Sequence, residues 1–483
     1  MKSLTNPIWH ANEPISNLER FKLLNSETKC LRTFTPTQTV IAKSAGSFLW
    51  TPEGRRLADF TSGVLVANLG HNPCRWMRRF FDLMGWADFS RQAPGSACKP
   101  ECSIHCNGAF KAIPMTAYNA ITPVEVIASK LLLEACSSRP GGMKLERVLW
   151  AASGSEAVVK ALWAALARDR SRDNILASRH GFHGKKGLAG AVTGSEKDRD
   201  RDPRVHFFSF PMLECNDISF RNKSFDCTPY RLELENLWNQ HGRKLTALIT
   251  EPYLGGGGSY HPPASYLKMV QEFCREHDIV FILDEVQSNF GRTGDLFAFE
   301  TYGLEPDLVV LGKGLGNGMP VAAVVGRTDI LESMDYGEGS DTWSANPLAS
   351  AAVVATLEEF AQANPLNLMK EASTVIENGL CSLKDLCPFI ANVRGENGGM
   401  VWGIEMADHS GLTANEWANL FVLECYLGEG NEGIHLLGPL AQKVVRISPP
   451  LVISPEESQE CMSMMLRIGK RMAFQKELRS SGQ

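Results

Sequence analysis

Two short apolar runs, each closed by chemically active residues, constrain this chain more than any other feature. The first, Val280-Phe281-Ile282-Leu283, ends on Asp284-Glu285; the second, Asp307-Leu308-Val309-Val310-Leu311, ends on Gly312-Lys313-Gly314. Short apolar runs bounded by turn residues read as strands buried on both faces, as in a parallel sheet. Ligands of open α/β sheets bind beyond the carboxyl ends of such strands. A carboxylate and a lysine therefore stand at two neighbouring strand ends, facing one crevice. Alone, such a pair is an ordinary structural ion pair or phosphate contact, so the surrounding residues carry the reading.

Further strand-like runs are Arg147–Ala151, Asn174–Ala177, Val205–Phe208, Thr246–Thr250, Ile279–Leu283, Leu308–Leu311 and Val321–Val325. Helical patterns at Pro123–Ala135, Glu156–Asp169 and Ala264–His277 lie between them. This alternation predicts an α/β fold with a mostly parallel, seven-stranded sheet covered on both faces. Residues 48–73 alternate apolar and polar around Pro52-Glu53-Gly54 and predict a small hairpin. After Pro347 come an alanine-rich helix at Leu348–Ala361, a second helix, strands near Gly399–Glu405 and Val444–Ile447, and a closing helix from Pro455. These outline a smaller α+β unit.

The 483 residues suffice for two or three folding units, and 44% hydrophobic with 21% charged residues is ordinary for a globular chain. A net charge of -5 makes no electrostatic case for nucleic acid or a membrane surface. Basic residues near the end (Arg467, Lys470, Arg471, Lys476, Arg479) fit the solvated face of a terminal helix. No apolar run reaches the roughly 18–20 residues that span a bilayer, and the polar opening lacks a secretion signal, so the cytoplasm is the expected compartment. Thirteen scattered cysteines are expected as reduced thiols. Four candidate ligands, Cys98, Cys102, His105 and Cys106, crowd one stretch, but their spacing matches no common zinc pattern. Residues 86–112 read as a surface insertion, and no metal is expected.

Other motifs stand at the other strand ends. Ser153-Gly154-Ser155-Glu156 follows one apolar run and opens a helix, the context of a phosphate-binding helix N-terminus as well as of a plain cap. His180-Gly181-Phe182-His183-Gly184 follows a second, and Glu251 closes a third. DEVQSNFGRTG at 284–294, GKGLGNGMP at 312–320 and DTWSANPLA at 341–349 complete the set. Together, from about Phe48 to about Pro455, these motifs resemble the class III (ω-type) aminotransferases, pyridoxal-phosphate (PLP) enzymes of fold type I.

The resemblance implies a role for each residue. Lys313 carries PLP in Schiff-base linkage and, once freed, shuttles a proton. Asp284 pairs with the pyridine nitrogen, Val286 and Phe182 lie on opposite ring faces, and Gln287 bonds the phenolic oxygen. Gly154 and Ser155 bind phosphate, with Thr342 reaching it from the neighbouring subunit, so the resemblance implies a homodimer with shared sites. His183 belongs to the cofactor-binding segment and Glu251 gives a supporting hydrogen bond. Arg446, in Val444-Val445-Arg446-Ile447, matches the arginine that binds a substrate carboxylate. Tyr118, Trp343 and Val64 are candidate pocket walls. The family's small domain joins an N-terminal segment (1–75) to the C-terminal part (346–483) around the large domain (76–345).

The function implied is transfer of an amino group, ω-amino included, from an amino acid or amine to a keto acid such as pyruvate or 2-oxoglutarate. Racemisation or decarboxylation on the same fold is the alternative, and a PLP-binding protein without turnover a more distant one. One departure bears on substrate. Relatives that alternate an ω-amino donor with glutamate often carry a glutamate five residues after Glu251, where it pairs with the arginine. Gly256 stands there instead. Either another acid serves or Arg446 stays open to solvent and substrate, and small residues at this place also occur in relatives that use pyruvate.

Overall fold

The computed structural model describes residues 8–87, 112–198 and 201–480, with side chains through 474. The motif Cys98–Cys106, and nearly all of the expected insertion 86–112, lies outside the described residues. Strands in chain order are β1 (Lys43–Ala45), β2 (Phe48–Trp50), β3 (Arg56–Asp59), β4 (Arg147–Ala151), β5 (Asn174–Ser178), β6 (Val205–Phe208) and β7 (Leu245–Thr250). There follow β8 (Val280–Asp284), β9 (Leu308–Leu311), β10 (Ala322–Gly326), β11 (Ile390–Gly395), β12 (Trp402–Met406), β13 (Glu432–His435) and β14 (Val444–Ile447).

Side chains along β8 alternate between two cores. Phe281 and Leu283 join one apolar cluster and Val280 and Ile282 the other, because successive Cβ atoms of a strand point to opposite faces. Helix 264–276 supplies Tyr266, Leu267, Val270 and Phe273 to the first cluster, and helix 154–168 supplies Ala157, Val158, Ala161 and Leu162 to the second. Every residue of β7, β8, β9 and β10 is buried. That is why these strands read as unbroken apolar runs.

The seven strands lie in the order β4-β10-β9-β8-β7-β5-β6. All run parallel except β10, which is antiparallel to both neighbours. A second sheet has the order β1-β2-β3-β13, with β13 parallel to β3, so early and late parts of the chain share hydrogen bonds. A third, antiparallel sheet, β11-β12-β14, places Arg446 opposite Gly403. Helix 14–26 inverts the usual pattern: Ser16, Asn17 and Arg20 face inward while Ile15, Leu18, Phe21 and Leu24 are exposed. Arg20 and Arg55 share the buried carboxylate of Glu13, which also accepts from Tyr426, so charge pairing orients this helix. Arg467 and Arg471 of the terminal helix pair with Glu429 and Glu424. Among the described residues the cysteines are free thiols, and no helix is long and apolar enough to cross a membrane.

Candidate active site

Strand order brings the motifs together. Lys313 follows β9, Asp284 ends β8, Glu251 follows β7, and Phe182 and His183 lie just beyond β5, four adjacent strands with their carboxyl ends on one side. Gly154 and Ser155 follow β4, which runs in the same direction, and open helix 154–168.

Asp284 is buried and its two oxygens are both engaged: Oδ1 accepts from Val286 N (3.0 Å) and Oδ2 from His183 Nδ1 (2.7 Å). The carboxylate can only accept, so His183 carries its proton on Nδ1. The other ring nitrogen of His183 is buried and has no hydrogen-bond partner among the described residues. Glu251, equally buried, accepts from Phe182 N (2.9 Å) and Gly255 N (3.2 Å). Burial pushes its carboxyl up to about 7 and Asp284 adds to the rise, while His183 and the two backbone donors oppose it.

The cations differ. Lys313 is half-buried, and among the described residues its Nζ has no hydrogen-bond or ion-pair partner. Burial pulls its ammonium down to about 8 and Arg446 adds to the fall; Asp284 and Glu251 pull the other way. Its φ of 49° is left-handed, a conformation costing roughly 1–3 kcal/mol for a residue with a Cβ and characteristic of functional sites. Arg446 is 3% exposed. Among the described residues its one side-chain partner is Gln287 Oε1 (3.1 Å from Nη1), and its buried Nε has none. No acid among the described residues takes the place that Gly256 leaves vacant; Arg446 is withdrawn from solvent rather than open to it, and its partner is a neutral amide that leaves its charge unpaired. Gly256 itself is dictated by packing, since a Cβ there would stand 2.9 Å from Phe182 Cβ.

The residues present fit a planar phosphorylated pyridine. A Cβ at Gly154 would come within 3.1 Å of Val286, and one at Gly184 within 2.5 Å of Ser155 Oγ, so glycine keeps the helix N-terminus and its hydroxyl open to an anion. Phe182 presents a 40% exposed ring beside this opening.

The comparisons decide the family. The family model for class-III aminotransferases matches residues 105–468. The chain belongs to the class III aminotransferases. It is 30% identical over 443 residues to an acetylornithine aminotransferase of Oceanobacillus iheyensis, covering 91% of this chain and 95% of that one. It is 25% identical over 438 residues to an ornithine aminotransferase of Emericella nidulans, with 89% and 86% covered. The fold is shared with the ornithine aminotransferase of Toxoplasma gondii (TM-score 0.75, 22% identity, 95% and 96% covered). It is also shared with a PLP-bound amine transaminase of an uncultivated Pseudomonas species (TM-score 0.75, 22% identity, 93% and 97% covered). PLP-dependent amino transfer is therefore the chemistry of this class III enzyme, and the racemase or decarboxylase alternative falls away.

The cluster unites Lys313, Asp284, Glu251, His183, Phe182, Val286, Gln287, Arg446, Gly154 and Ser155. It does not gather Tyr118, Thr342 and Trp343, which are exposed and make no side-chain hydrogen bond to it among the described residues. Sequence reading missed two features. Ser62, Gly63, Val64 and Leu65 form a left-handed turn, tied by Ser62 Oγ to Ser448 O (2.7 Å) two residues beyond Arg446. The other is Tyr253, which is buried, donates from its hydroxyl to Gln287 O (3.3 Å) and stacks on His261. Gly63 was the only local signal for the turn, and nothing local marked the tyrosine.

Proposed function

We propose that this enzyme moves a terminal amino group from an ω-amino compound to a monocarboxylic 2-keto acid, pyruvate above 2-oxoglutarate. Asp284 would hold the pyridine nitrogen, with His183 fixing the carboxylate. Gln287, its Oε1 engaged by Arg446, has its amide hydrogens left to meet the phenolic oxygen. Ser155 and the helix N-terminus beginning at Gly154 would take the phosphate, and Phe182 and Val286 the two ring faces. Bound PLP supplies an electrophilic carbon and an electron-withdrawing ring. Lys313 then serves as the base that takes the proton from the substrate carbon and as the acid that returns it. Its lowered affinity for protons suits both tasks. Glu251 pins the backbone of Phe182 and Gly255 so that the ring wall keeps its place.

The observation that carries the substrate reading is Arg446, a buried guanidinium without a carboxylate partner among the described residues. It is suited to a substrate carboxylate. Four of the five donors of the neighbouring buried Arg292 are taken by Asn68 Oδ1, Met400 O and Pro449 O. It therefore has no free two-pronged face for the second carboxylate of a dicarboxylic acid. The acetylornithine and ornithine aminotransferases among the relatives motivate the ω-amino donor. Initial rates over a panel of β-alanine, 4-aminobutyrate, ornithine, lysine, taurine and aromatic amines test it. Higher kcat/KM with pyruvate than with 2-oxoglutarate is expected for the best donor, and the reverse preference overturns the reading.

The enzyme acts as a homodimer in the same reading, Thr342 reaching the partner subunit's phosphate. Exposed Trp343, Tyr118 and Ile121 support this, as apolar surface for a second copy to cover. Shared hydrogen bonds of β3 and β13 support a small domain built from 1–75 and 346–483 around a large one at 76–345.

A further inference from the structure

Lys160 has no part in the site described above, yet among the described residues it is the one fully buried lysine, at 4% exposed. A buried ammonium persists only where its donors are used. Here all three are: Nζ bonds Trp150 O (2.7 Å), Asp341 Oδ2 (2.6 Å) and Ser344 Oγ (3.0 Å). Trp150 belongs to β4, and Lys160 lies on helix 154–168, so the ammonium is rooted in the sheet and in the helix that follows it. Asp341 and Ser344 belong to the segment that carries Thr342 and Trp343.

That segment is folded around one carboxylate. Asp341 Oδ1 accepts from Trp343 N (2.9 Å) and Ser344 N (2.8 Å), and Oδ2 accepts from the Ser344 hydroxyl as well as from Lys160. Beyond it Ala345 is left-handed at φ 58°, a conformation an alanine holds only when its surroundings impose it. Asn346 then donates to Trp343 O (2.7 Å) and accepts from Ala349 N (3.0 Å), locking the turn to helix 347–363. Thr342 and Trp343 are the members of this turn whose side chains face outward and exposed. The turn is fixed at both ends, and what it displays is the pair of side chains facing away from its own subunit.

We propose that Lys160 is a positioning residue, setting the turn that presents Thr342 and Trp343 to the neighbouring subunit's cofactor site. The proposal rests on the shared-site reading given above. Lys160→Met keeps the aliphatic stem and removes three donors, so the turn loses its anchor while the helix keeps its packing.

Hybrid dimers separate this role from a general structural one. In the first hybrid a Lys160→Met subunit is paired with a Lys313→Ala subunit. The sole site with Lys313 then receives its turn from a subunit with Lys160 intact. In the second, a Lys160→Met/Lys313→Ala subunit is paired with a wild-type one, and the sole site with Lys313 receives the altered turn. The readouts are cofactor loss on dialysis, followed by the visible band of lysine-linked PLP, and KM for the donor. The first hybrid should retain cofactor like wild type, with about half the dimer's turnover. The second should lose cofactor on the order of 10–100-fold faster, the penalty of about an ångström of misplacement.

Equal defects in both hybrids, no defect in either, or a defect in the first alone would overturn the proposal. An active monomeric wild type in sedimentation defeats the shared-site reading itself, an outcome distinct from all of these. Should Lys160→Met not fold, Asp341→Asn enters the same pairs, because its Oδ1 keeps both backbone bonds while the charged link is weakened.

Discussion

The two acids and the two cations of the crevice are held in opposite ways. Both oxygens of Asp284 and both of Glu251 accept hydrogen bonds from the protein. Among the described residues Lys313 has no such partner and Arg446 has one neutral amide. Fully satisfied buried acids are fixed in place, whereas buried donors without acceptors carry a desolvation cost that a ligand can relieve. The acid side is thus a finished template, and the cation side is left for substrate and cofactor to complete.

The sharpest way to break this contrast is to remove Lys313. Lys313→Ala should lower the transfer rate on the order of 10³-fold or more without lowering the melting temperature, because no internal bond is lost. Single-turnover rates and calorimetry check both halves. A melting point several degrees lower would mean that the amine is internally held after all.

Removing an acid should do the reverse to stability. Asp284→Ala is expected to cut turnover on the order of 10²–10³-fold and to cost roughly 1–3 kcal/mol in denaturant unfolding, since His183 would be left buried with both ring nitrogens unpaired. On the cation side, Arg446→Gln should raise KM for the keto acid by about 10²-fold, the worth of a charge-assisted bidentate contact, with stability unchanged or improved. Gly256→Glu sharpens the comparison by offering Arg446 an acid. Its Cβ would collide with Phe182, so a loss of roughly 1–3 kcal/mol and faster cofactor release are expected, measured by thermal melting and dialysis.

The smallest effect is on pH. The Lys313 ammonium falls from its ordinary 10.5 to about 8 in the fold. Its charged form is disfavoured there, which opposes folding below about pH 8. That penalty is relieved as pH rises from about 8 towards 10.5, a relief that Lys313→Ala should abolish. By the same titration, cofactor-free protein should react with added PLP faster as pH rises through about 8; a flat profile from pH 7 to 9 would show an amine already neutral.

Much of this was legible along the chain. The seven strands, the acid at the end of β8 and the lysine after β9 follow from apolar runs and their closing residues, because burial on both faces of a sheet leaves a local signature. The inverted helix 14–26 was not legible, since its polar face turns inward to Glu13 and Tyr426, the latter more than 400 positions away in sequence. Nor was the pairing of Arg446 with Gln287, across 159 positions. The motif at 284–294 implied, by its resemblance, a cofactor contact for Gln287 and was silent about Arg446.

Sequence alone determined the α/β alternation, the family, and which residue types stand at each strand end, since these depend on patterns a few residues long. Tertiary structure alone decided that Arg446 is buried beside an amide, that Gly256 makes room for Phe182, and that Lys160 anchors the turn at 341–344. Each of those outcomes is set by which groups share a low-dielectric space, and in a parallel fold such neighbours come from strands and loops far apart in the chain.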